Sequence, residues 1–223
     1  MKFDLSKVEF SRNDLRLEIK VPKKLTKELA YFIGIHVGDG TLSFDAKKWH
    51  YIIGYTGHLI DEYEFHKNVI ITLIKKLFNK DVGLVEDKRK NKSSIRAYLK
   101  SKAIFTFLSK VIDLPVGSKN NCRVPNIIKT ANNKMKINFL KGLADTDFTL
   151  SFKAKYKKLH YYPVIGLRFV SKLLVREVNS LLLEQGLKTF FSPNRVNYYR
   201  KRNAYYEGSD IDINGVNNLN VWM

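Results

Sequence analysis

An internal repeat constrains the fold of this chain more than any other feature of its sequence. The segment Asp39–Phe44 reads DGTLSF, and 108 residues further on Asp147–Phe152 reads DFTLSF, so that five of six residues agree. The segments before the two copies, Leu29–Ile35 and Ile137–Leu143, also correspond, since each is largely apolar and has one internal glycine. A repeat of this kind indicates two copies of one structural unit.

The elements predicted around each copy follow one order. In both halves the pattern predicts a helix, two strands, an amphipathic helix, two further strands and a closing helix. The predicted strands lie within 41–55, at 83–89 and 94–100, and then at 149–155, 163–170, 189–196 and 210–213, with helices near 59–78, 103–112 and 173–184. Sheets with one buried face need helices packed on that face, so we expect an α+β fold of two pseudo-symmetric αββαββα halves.

The predicted organisation is an N-terminal half at 1–115, a linker at 116–132 and a C-terminal half at 133–223. The linker is assigned from its proline, glycine and asparagine residues. After the last predicted strand only Val216–Met223 remains, whereas the first half continues much further before the second copy begins. We therefore expect the closing helix of the second half to be shortened.

Charge indicates the class of partner. The chain carries 40 Lys and Arg against 21 Asp and Glu, a net charge of +19 over 223 residues. Such a surplus predicts a polyanionic partner, most often nucleic acid. No apolar run reaches the roughly 18 residues of a membrane span, and a lone cysteine, Cys122, excludes a disulfide framework and a cysteine-cluster zinc site. We therefore expect a protein of the cytoplasm or an organellar matrix, neither secreted nor inserted in a membrane.

Much of the basic charge is clustered beside tyrosines on predicted strands and turns. The basic clusters are Lys88, Arg89, Lys90 and Lys92, then Lys153, Lys155, Lys157 and Lys158, and then Arg195, Arg200, Lys201 and Arg202. The neighbouring tyrosines are Tyr156, Tyr161, Tyr162, Tyr198, Tyr199, Tyr205 and Tyr206. Basic and aromatic side chains on strands are typical of a surface that neutralises phosphates and contacts bases. The alternative is that the lysines protect strand edges from aggregation.

Small residues recur at helical spacing in the helix that precedes each copy. Gly34 and Gly38 are four residues apart in the first helix, and Gly142 and Thr146 hold the equivalent places in the second. Two such strips allow helices to cross with their backbones nearly in contact. We therefore predict that Gly34, Gly38 and Gly142 form a helix interface. The alternative is that each is an ordinary glycine tolerated within a helix.

Each of these helices ends in an aspartate, Asp39 or Asp147. A carboxylate at a helix C-terminus faces the negative end of the macrodipole, and two such helices side by side would bring two carboxylates together. A divalent cation bound there would remove the electrostatic cost, and hard oxygen ligands favour Mg²⁺ over zinc. The alternative, for either copy alone, is a solvated aspartate before a helix-ending glycine such as Gly40.

These two motifs resemble those of the LAGLIDADG homing endonucleases, in the form where one chain carries both copies. The segment Phe32–Gly40 reads FIGIHVGDG and matches the nine-residue motif at both glycines and at the final acid-glycine pair, and Leu140–Phe148 reads LKGLADTDF. The resemblance implies that the packed motif helices join the two halves, each with a saddle-shaped antiparallel sheet on double-stranded DNA. It also implies an intron-encoded, monomeric, magnesium-dependent endonuclease that cleaves both strands at a long asymmetric target, with Mn²⁺ as a substitute metal.

Carried onto this sequence, the resemblance assigns the site residue by residue. Asp39 and Asp147 would be catalytic and would bind the metal together with the carbonyls of Gly38 and Thr146. Lys102 would lie near the attacking water, and its counterpart in the second half would be Gly215. The candidate DNA-binding residues are Lys47, Tyr51, Arg96, Lys153, Lys155, Arg168, Arg195, Tyr198 and Arg200.

Two departures from the pattern leave a second function open. Phe148 replaces the glycine that ends the motif, where a tight turn usually favours glycine, and the chain has little sequence left for a closing helix. Both fall in the second half, so the alternative is a catalytically impaired DNA-binding protein, or a maturase that binds intron RNA on the same scaffold.

Overall fold

The computed structural model describes residues 2–87, 93–154, 159–199 and 203–223. The chain forms two compact units, which we call unit 1 (Met1–Gly117 with Pro125–Leu143) and unit 2 (Ser118–Val124 with Ala144–Met223). Within the described ranges each unit contains one four-stranded antiparallel sheet. The predicted α+β class is confirmed. The division passes through the predicted linker, whose residues 118–124 lie in unit 2 and 125–132 in unit 1.

Unit 1 contains the first motif helix and the first sheet. Its elements are α1 (Arg12–Arg16), α2 (Lys27–Gly38), β1 (Gly40–Asp45), β2 (His50–His58), α3 (Tyr63–Phe65), a π-helical turn (His66–Ile70), α4 (Ile71–Phe78), β3 (Leu84–Asp87), β4 (Ser94–Lys100), α5 (Lys102–Thr106), a second π-helical turn (Phe107–Val111), α6 (Asn126–Lys129) and α7 (Asn133–Asp147). Helix α7 begins in unit 1, and its last four residues belong to unit 2.

The core of unit 1 lies between its sheet and its helices. The strand order is β1-β2-β4-β3, and the register aligns Leu42 with Ile53 and Ile53 with Leu99, all of them buried. Alternation places these side chains on one side of the sheet, where the helices cover them. The ring of Phe32 from α2 packs 5.4 Å from that of Phe78 at the end of α4. The other side of the sheet remains open.

A buried carboxylate connects the N-terminal segment to the start of α5. The Oδ1 atom of Asp14 accepts a 2.7 Å hydrogen bond from the hydroxyl of Ser101, and its Oδ2 atom accepts one from the amide of Ala103. Ser101 in turn caps α5 by accepting a hydrogen bond from the amide of Ile104. These contacts position Lys102, the first residue of α5, at the end of β4.

Unit 2 repeats the sheet topology with longer strands. Its elements after α7 are β5 (Phe148–Ala154), β6 (His160–Phe169), α8 (Lys172–Glu184), β7 (Thr189–Tyr199), β8 (Ala204–Asn214) and α9 (Val216–Trp222), in the strand order β5-β6-β8-β7. Helix α8 is amphipathic and buries Val178 and Leu182 against the side of the sheet that carries Leu167 and Ile211. Helix α9 has seven residues and buries none of them.

No helix in the part of the chain that the structure describes has the length and apolar character needed to cross a bilayer.

Candidate nucleic-acid interface and catalytic carboxylates

Helices α2 and α7 cross at two glycines within unit 1. A β-carbon placed on Gly34 would lie 2.1 Å from the carbonyl oxygen of Phe139, and one on Gly142 would lie 2.0 Å from the carbonyl oxygen of Tyr31. Both distances are far below van der Waals contact, and both obstructing atoms belong to the backbone. Only glycine therefore permits this crossing. Gly38, the third predicted member of the interface, is the last residue of α2.

The first acid, Asp39, caps α2 directly before β1. Its amide donates to the carbonyl of Ile35, and its side chain is partly exposed. Beneath it, the imidazole of His36 is buried, with Nδ1 2.8 Å from the hydroxyl of Tyr55. Burial raises the pKa of Tyr55 well above its ordinary value, so the phenol stays protonated. A β-carbon on Gly40 would lie 2.3 Å from His36 Nδ1, which explains the glycine after this acid.

The second acid, Asp147, lies at a helix end whose structure differs from that at Asp39. Helix α7 continues through Asp147 itself, and β5 begins at once with Phe148. The position of His36 is taken in this copy by Ala144, which has no ring to fill the space. The ring of Phe148 instead packs against Trp222 of α9, with centroids 5.2 Å apart. The replacement of the motif glycine by phenylalanine is therefore matched by the loss of the histidine and by the contact with α9.

The surroundings of Asp147 disfavour the ionised form of its carboxyl group. Burial raises the pKa of its carboxyl above the usual range, and the Thr146 hydroxyl, which donates to Oδ2 at 2.9 Å, and the charge of Lys119 only partly oppose this effect. A divalent cation would stabilise the ionised form directly. Among the described residues no three His, Cys, Asp or Glu side chains converge on one point. Carboxylate and carbonyl oxygens completed by water and phosphate oxygens are, however, the usual surroundings of Mg²⁺.

In unit 2 the acid and the predicted DNA contacts share one cavity. A cavity of about 260 Å³ on the open side of the sheet is lined by Asp147, Thr149, Ser151, Lys153, Val164, Gly166, Arg168 and Asp212. Alternation along β5, β6 and β8 directs Lys153, Arg168 and Asp212 to this side, opposite the face that α8 covers. The structure thus brings three sequence-predicted site residues, Asp147, Lys153 and Arg168, into one polar depression.

Tyr198 lies on the other side of the same sheet. It pairs with Tyr205, which alternation places on the side of Ile211 and Ile213. Arg195 pairs with Gly208 and is on the open side. Tyr198 is therefore separated from Arg195, because an odd number of residues along a strand reverses the direction of the side chain.

On the sheet of unit 1, Arg96 is exposed on the open side and Lys47 is exposed in the turn between β1 and β2. Tyr51 is on the side of Ile53 and Tyr55 instead. Its ring packs 5.3 Å from that of Phe105 in α5 and 4.8 Å from that of Phe44. The structure therefore uses Tyr51 for packing beneath α5 and does not place it beside Arg96.

Lys102 is held by a carboxylate from the N-terminal segment. Its Nζ atom is 2.7 Å from Glu9 Oε2 and lies over the ring of Tyr51, 5.6 Å from the centroid. The hydrogen bond that Lys102 donates to Glu9 raises the pKa of Lys102, so its amine stays charged. Hydrogen bonds from Lys102 and Lys110 lower the pKa of Glu9 to about 2.

The counterpart of Lys102 in unit 2 is Val216, which corrects the expectation of Gly215. The register pairs Lys100 with Ile52 of β2 and Asn214 with Val164 of β6, so β4 and β8 end at equivalent places. Ser101 and Gly215 then cap the next helix, and Lys102 and Val216 begin it. The error arose because sequence alone does not show where each strand ends.

Two of the assigned residues, Lys155 and Arg200, lie outside the described residues. The three basic clusters also lie outside them, except for their members Lys153 and Arg195. The open faces also carry residues that sequence reasoning missed. They are Tyr98 and Lys100 in unit 1 and Asp210 and Asp212 in unit 2. Because side chains alternate along a strand, counting along β4 from Arg96 and along β8 from the buried Ile211 would have identified them.

This duplicated arrangement of helices and four-stranded antiparallel sheets is the fold of the LAGLIDADG homing endonucleases. The homing endonuclease I-DmoI, solved in complex with DNA and Ca, is 17% identical, with a TM-score of 0.55 over 84% of this chain and 82% of that chain. Mesophilic variants from I-DmoI give a TM-score of 0.57 at 16% identity, over 87% and 92%. The homing endonuclease I-WcaI, bound to its DNA recognition sequence, gives 0.55 at 16% identity, over 90% and 81%. The fold implied by the motif resemblance is confirmed.

Sequence comparison points to a segment found within larger proteins. No family model matches the chain. It is 24% identical over 174 residues to the isomerizing glutamine–fructose-6-phosphate aminotransferase of Methanocaldococcus jannaschii, covering 78% of this chain and 14% of that protein. It is 26% identical over 206 residues to the probable translation initiation factor IF-2 of the same organism, covering 90% and 15%. The chain therefore spans about a seventh of the length of each of these relatives.

Proposed function

We propose that this protein is a site-specific double-strand DNA endonuclease that requires a divalent metal. The observation that carries the proposal is the cavity of unit 2, where Asp147, the acid at the end of a motif helix, lies beside Lys153 and Arg168 on the open side of the sheet. A carboxylate with a pKa raised by burial, next to cations that suit phosphate, is arranged for metal-assisted chemistry on a nucleic-acid backbone. The fold supports this, because solved structures that share it include homing endonucleases bound to DNA.

In the proposed mechanism Asp39 and Asp147 each provide a carboxylate, and Gly38 and Thr146 a carbonyl, for Mg²⁺, with Mn²⁺ as a substitute. A metal held there would supply polarisation of the scissile phosphate and a lower pKa for a bound water. The charged amine of Lys102 stabilises negative charge that develops on the phosphate during attack. The open faces of both sheets hold the duplex in place through Lys47, Arg96, Lys153, Arg168 and Arg195. No covalent intermediate is needed.

The two relatives support an activity that is independent of the host protein. Amino-group transfer and translation initiation share no chemistry, yet both proteins contain a segment similar to this chain. We infer that the segment acts as a separate module, as a monomer in a reducing compartment where its buried Cys122 stays a thiol.

A cleavage assay tests the proposal. The purified protein is incubated with a plasmid library of randomised duplexes and Mg²⁺ or Mn²⁺, and linear products are sequenced. Asp39→Asn and Asp147→Asn should each reduce cleavage at least about a thousandfold, since each removes a metal ligand worth several kcal/mol in the transition state. Asp81→Asn, which removes a highly exposed carboxylate of unit 1, is the control and should cleave normally. Equal cleavage by all four proteins would refute the assignment.

A second function, binding without cleavage, is favoured by one observation. Val216 occupies the position of Lys102, so unit 2 has no amine at this place. If wild-type protein cleaves no DNA but binds a structured intron RNA tightly, and if neither Asp39→Asn nor Asp147→Asn weakens that binding, the maturase function replaces the nuclease.

A further inference from the structure

A buried carboxylate lies on the open side of the sheet of unit 2, where cations would be expected. Asp210 of β8 is flanked by β6 and β7, and its side chain is only 4% exposed. Its Oδ2 atom accepts a 2.7 Å hydrogen bond from Arg195 and lies 3.4 Å from Nε of Arg168. The arginine side chains are themselves 47% and 62% exposed. One carboxylate therefore holds two guanidinium groups from the two neighbouring strands.

The strand geometry that produces this contact is encoded locally. Ser192 pairs with Asp210 and Arg195 with Gly208, so β7 uses three residue steps where β8 uses two. The extra residue is a β-bulge at Pro193 and Asn194, where Asn194 has φ 57°. Proline lacks an amide hydrogen for the ladder, and asparagine tolerates the left-handed region. Without the bulge Arg195 would point to the helix-covered side, because one residue reverses the direction.

Holding an arginine in this way changes what it can recognise. A guanidinium group has five donors in a planar fork, and a carboxylate contact at one edge leaves other donors directed at the solvent. An arginine with a fixed fork loses less side-chain entropy on binding, and a forked contact with guanine O6 and N7 is the commonest specific contact in the major groove. The Asp210 charge at the same time reduces general attraction to phosphates.

We propose that Asp210 is a positioning residue that determines specificity by orienting Arg168 and Arg195 toward guanine edges in the DNA target. The proposal rests on the DNA-binding function proposed above. The proposal predicts opposite changes in two quantities, the affinity for unrelated duplexes and the discrimination in favour of the target, which a purely structural role would lower together. Losing the Asp210 charge should strengthen binding to unrelated duplexes and weaken discrimination in favour of the target.

The test uses the full chain and a target duplex selected by the wild-type protein from a random double-stranded pool, in EDTA so that no cleavage occurs. The dissociation constants for the selected duplex and for a scrambled duplex of equal length are measured at several salt concentrations. For Asp210→Asn, which preserves the shape of the side chain, we expect the ratio of the two constants to fall about tenfold. Binding to the scrambled duplex should tighten severalfold, because one negative charge is lost.

Glu207→Gln is the matched control. It removes one acid from the same strand, but Glu207 lies on the other side and pairs with Lys172, so the ratio should stay at the wild-type value. Arg195→Lys supplies a second variant, since lysine keeps the charge and lacks the fork, and it should lose preference at one guanine position in a repeated selection.

The outcomes are distinct. The inference is overturned if Asp210→Asn keeps the wild-type ratio, or if both affinities fall together with the Tm, which would indicate a structural role alone. It is also overturned if Arg195→Lys selects the wild-type sequence. If the wild-type protein selects no duplex at all, it is the proposed DNA-binding function that fails, and the inference fails with it.

Discussion

Units 1 and 2 each form a sheet of the same topology after a motif aspartate, and they differ in the side chains around that aspartate. Thr41 pairs with Gly54 in unit 1, and Thr149 pairs with Gly166 in unit 2, so the strands next to each acid keep one register. The helix before the strand ends differently, with His36 above Gly40 in one unit and Ala144 with Phe148 in the other. The duplicated chain has therefore preserved its backbone pairing, and it has changed the side chains around the acids as matched sets.

The inner strands β4 and β8 differ in the charges that they carry on the open faces. On β4 of unit 1, Arg96, Tyr98 and Lys100 alternate outward without an acid between them. On β8 of unit 2 the outward residues include Asp210 and Asp212, which pair with basic residues of the neighbouring strands. Strand β4 suits general contact with phosphates, whereas β8 holds the cations of its neighbouring strands in set positions. The two strands are thus suited to different parts of the DNA recognition proposed above.

Among the differences between the units, the largest expected effect concerns the helix that follows each sheet. Because Lys102 begins α5 and Val216 begins α9, we expect Lys102→Met to slow cleavage of one strand about a hundredfold, within the range of single acid–base or electrostatic groups. A nicked plasmid should then accumulate in a time course of supercoiled target with Mg²⁺. Val216→Lys in the wild-type background is the converse variant, and it should shorten the lifetime of any nicked intermediate. Equal slowing of both strands by Lys102→Met would show that the lysine serves both.

A smaller effect tests the helix crossing. Gly142→Ala places a β-carbon against the Tyr31 carbonyl and should lower the free energy of unfolding by about 1–3 kcal/mol, the usual cost of overpacking. Gly83→Ala is the matched control, because no atom lies within 4 Å of its β-carbon and its change should stay within about 0.5 kcal/mol. Urea unfolding of the two variants measures the difference. Similar midpoints would mean that α2 and α7 do not cross this closely in solution.

The matched sets of side chains predict an energetic coupling. Gly40→Ala should destabilise unit 1 by forcing its methyl group into His36, and His36→Ala should destabilise it by leaving the Tyr55 hydroxyl without its partner. The loss of unfolding free energy in the double variant should be about 1 kcal/mol smaller than the sum of the losses in the two single variants, since Ala at position 36 makes room for the methyl group. A double-mutant cycle in urea gives this value. Strict additivity would contradict the explanation offered for Ala144 and Phe148.

The smallest effects are pH dependences, and they have opposite signs in the two units. The pKa of Asp147 is raised in the folded state, so its ionised form costs stability at neutral pH. In EDTA, Asp147→Asn should therefore have a higher Tm than wild type at pH 7, and the gap should close as pH falls through the raised pKa toward the ordinary value of 3.8.

The pKa of Glu9 is lowered from 4.5 to about 2 by Lys102 and Lys110, so its contribution is present above pH 4.5 and is lost as pH falls toward 2. Glu9→Gln should accordingly have a lower Tm than wild type at pH 7 and the same Tm near pH 2. Thermal unfolding followed by circular dichroism across this range checks both signs. A parallel response of the two variants would contradict the difference between the units.

Much of the fold could be predicted because its signals are local. The repeat around Asp39 and Asp147, the period of the apolar residues and the glycines of the motif helices all lie within short windows of sequence, and the predicted α+β class and element order match the structure. The assignment of the two acids as metal ligands stays a prediction, as do the domain boundaries.

The tertiary structure alone decided which side chains share a surface. Composition predicts Tyr51 and Tyr198 as DNA contacts, but strand register places Tyr51 beneath α5 and the exposed Tyr198 on the side opposite Arg195, while Asp210 is the centre of an arginine pair. Side chains reverse direction at every residue of a strand, so one bulge, or one residue of error at a strand end, moves a group to the opposite face. Sequence determined the elements and their duplication through short-range periodicity, and the long-range pairing of strands determined the site.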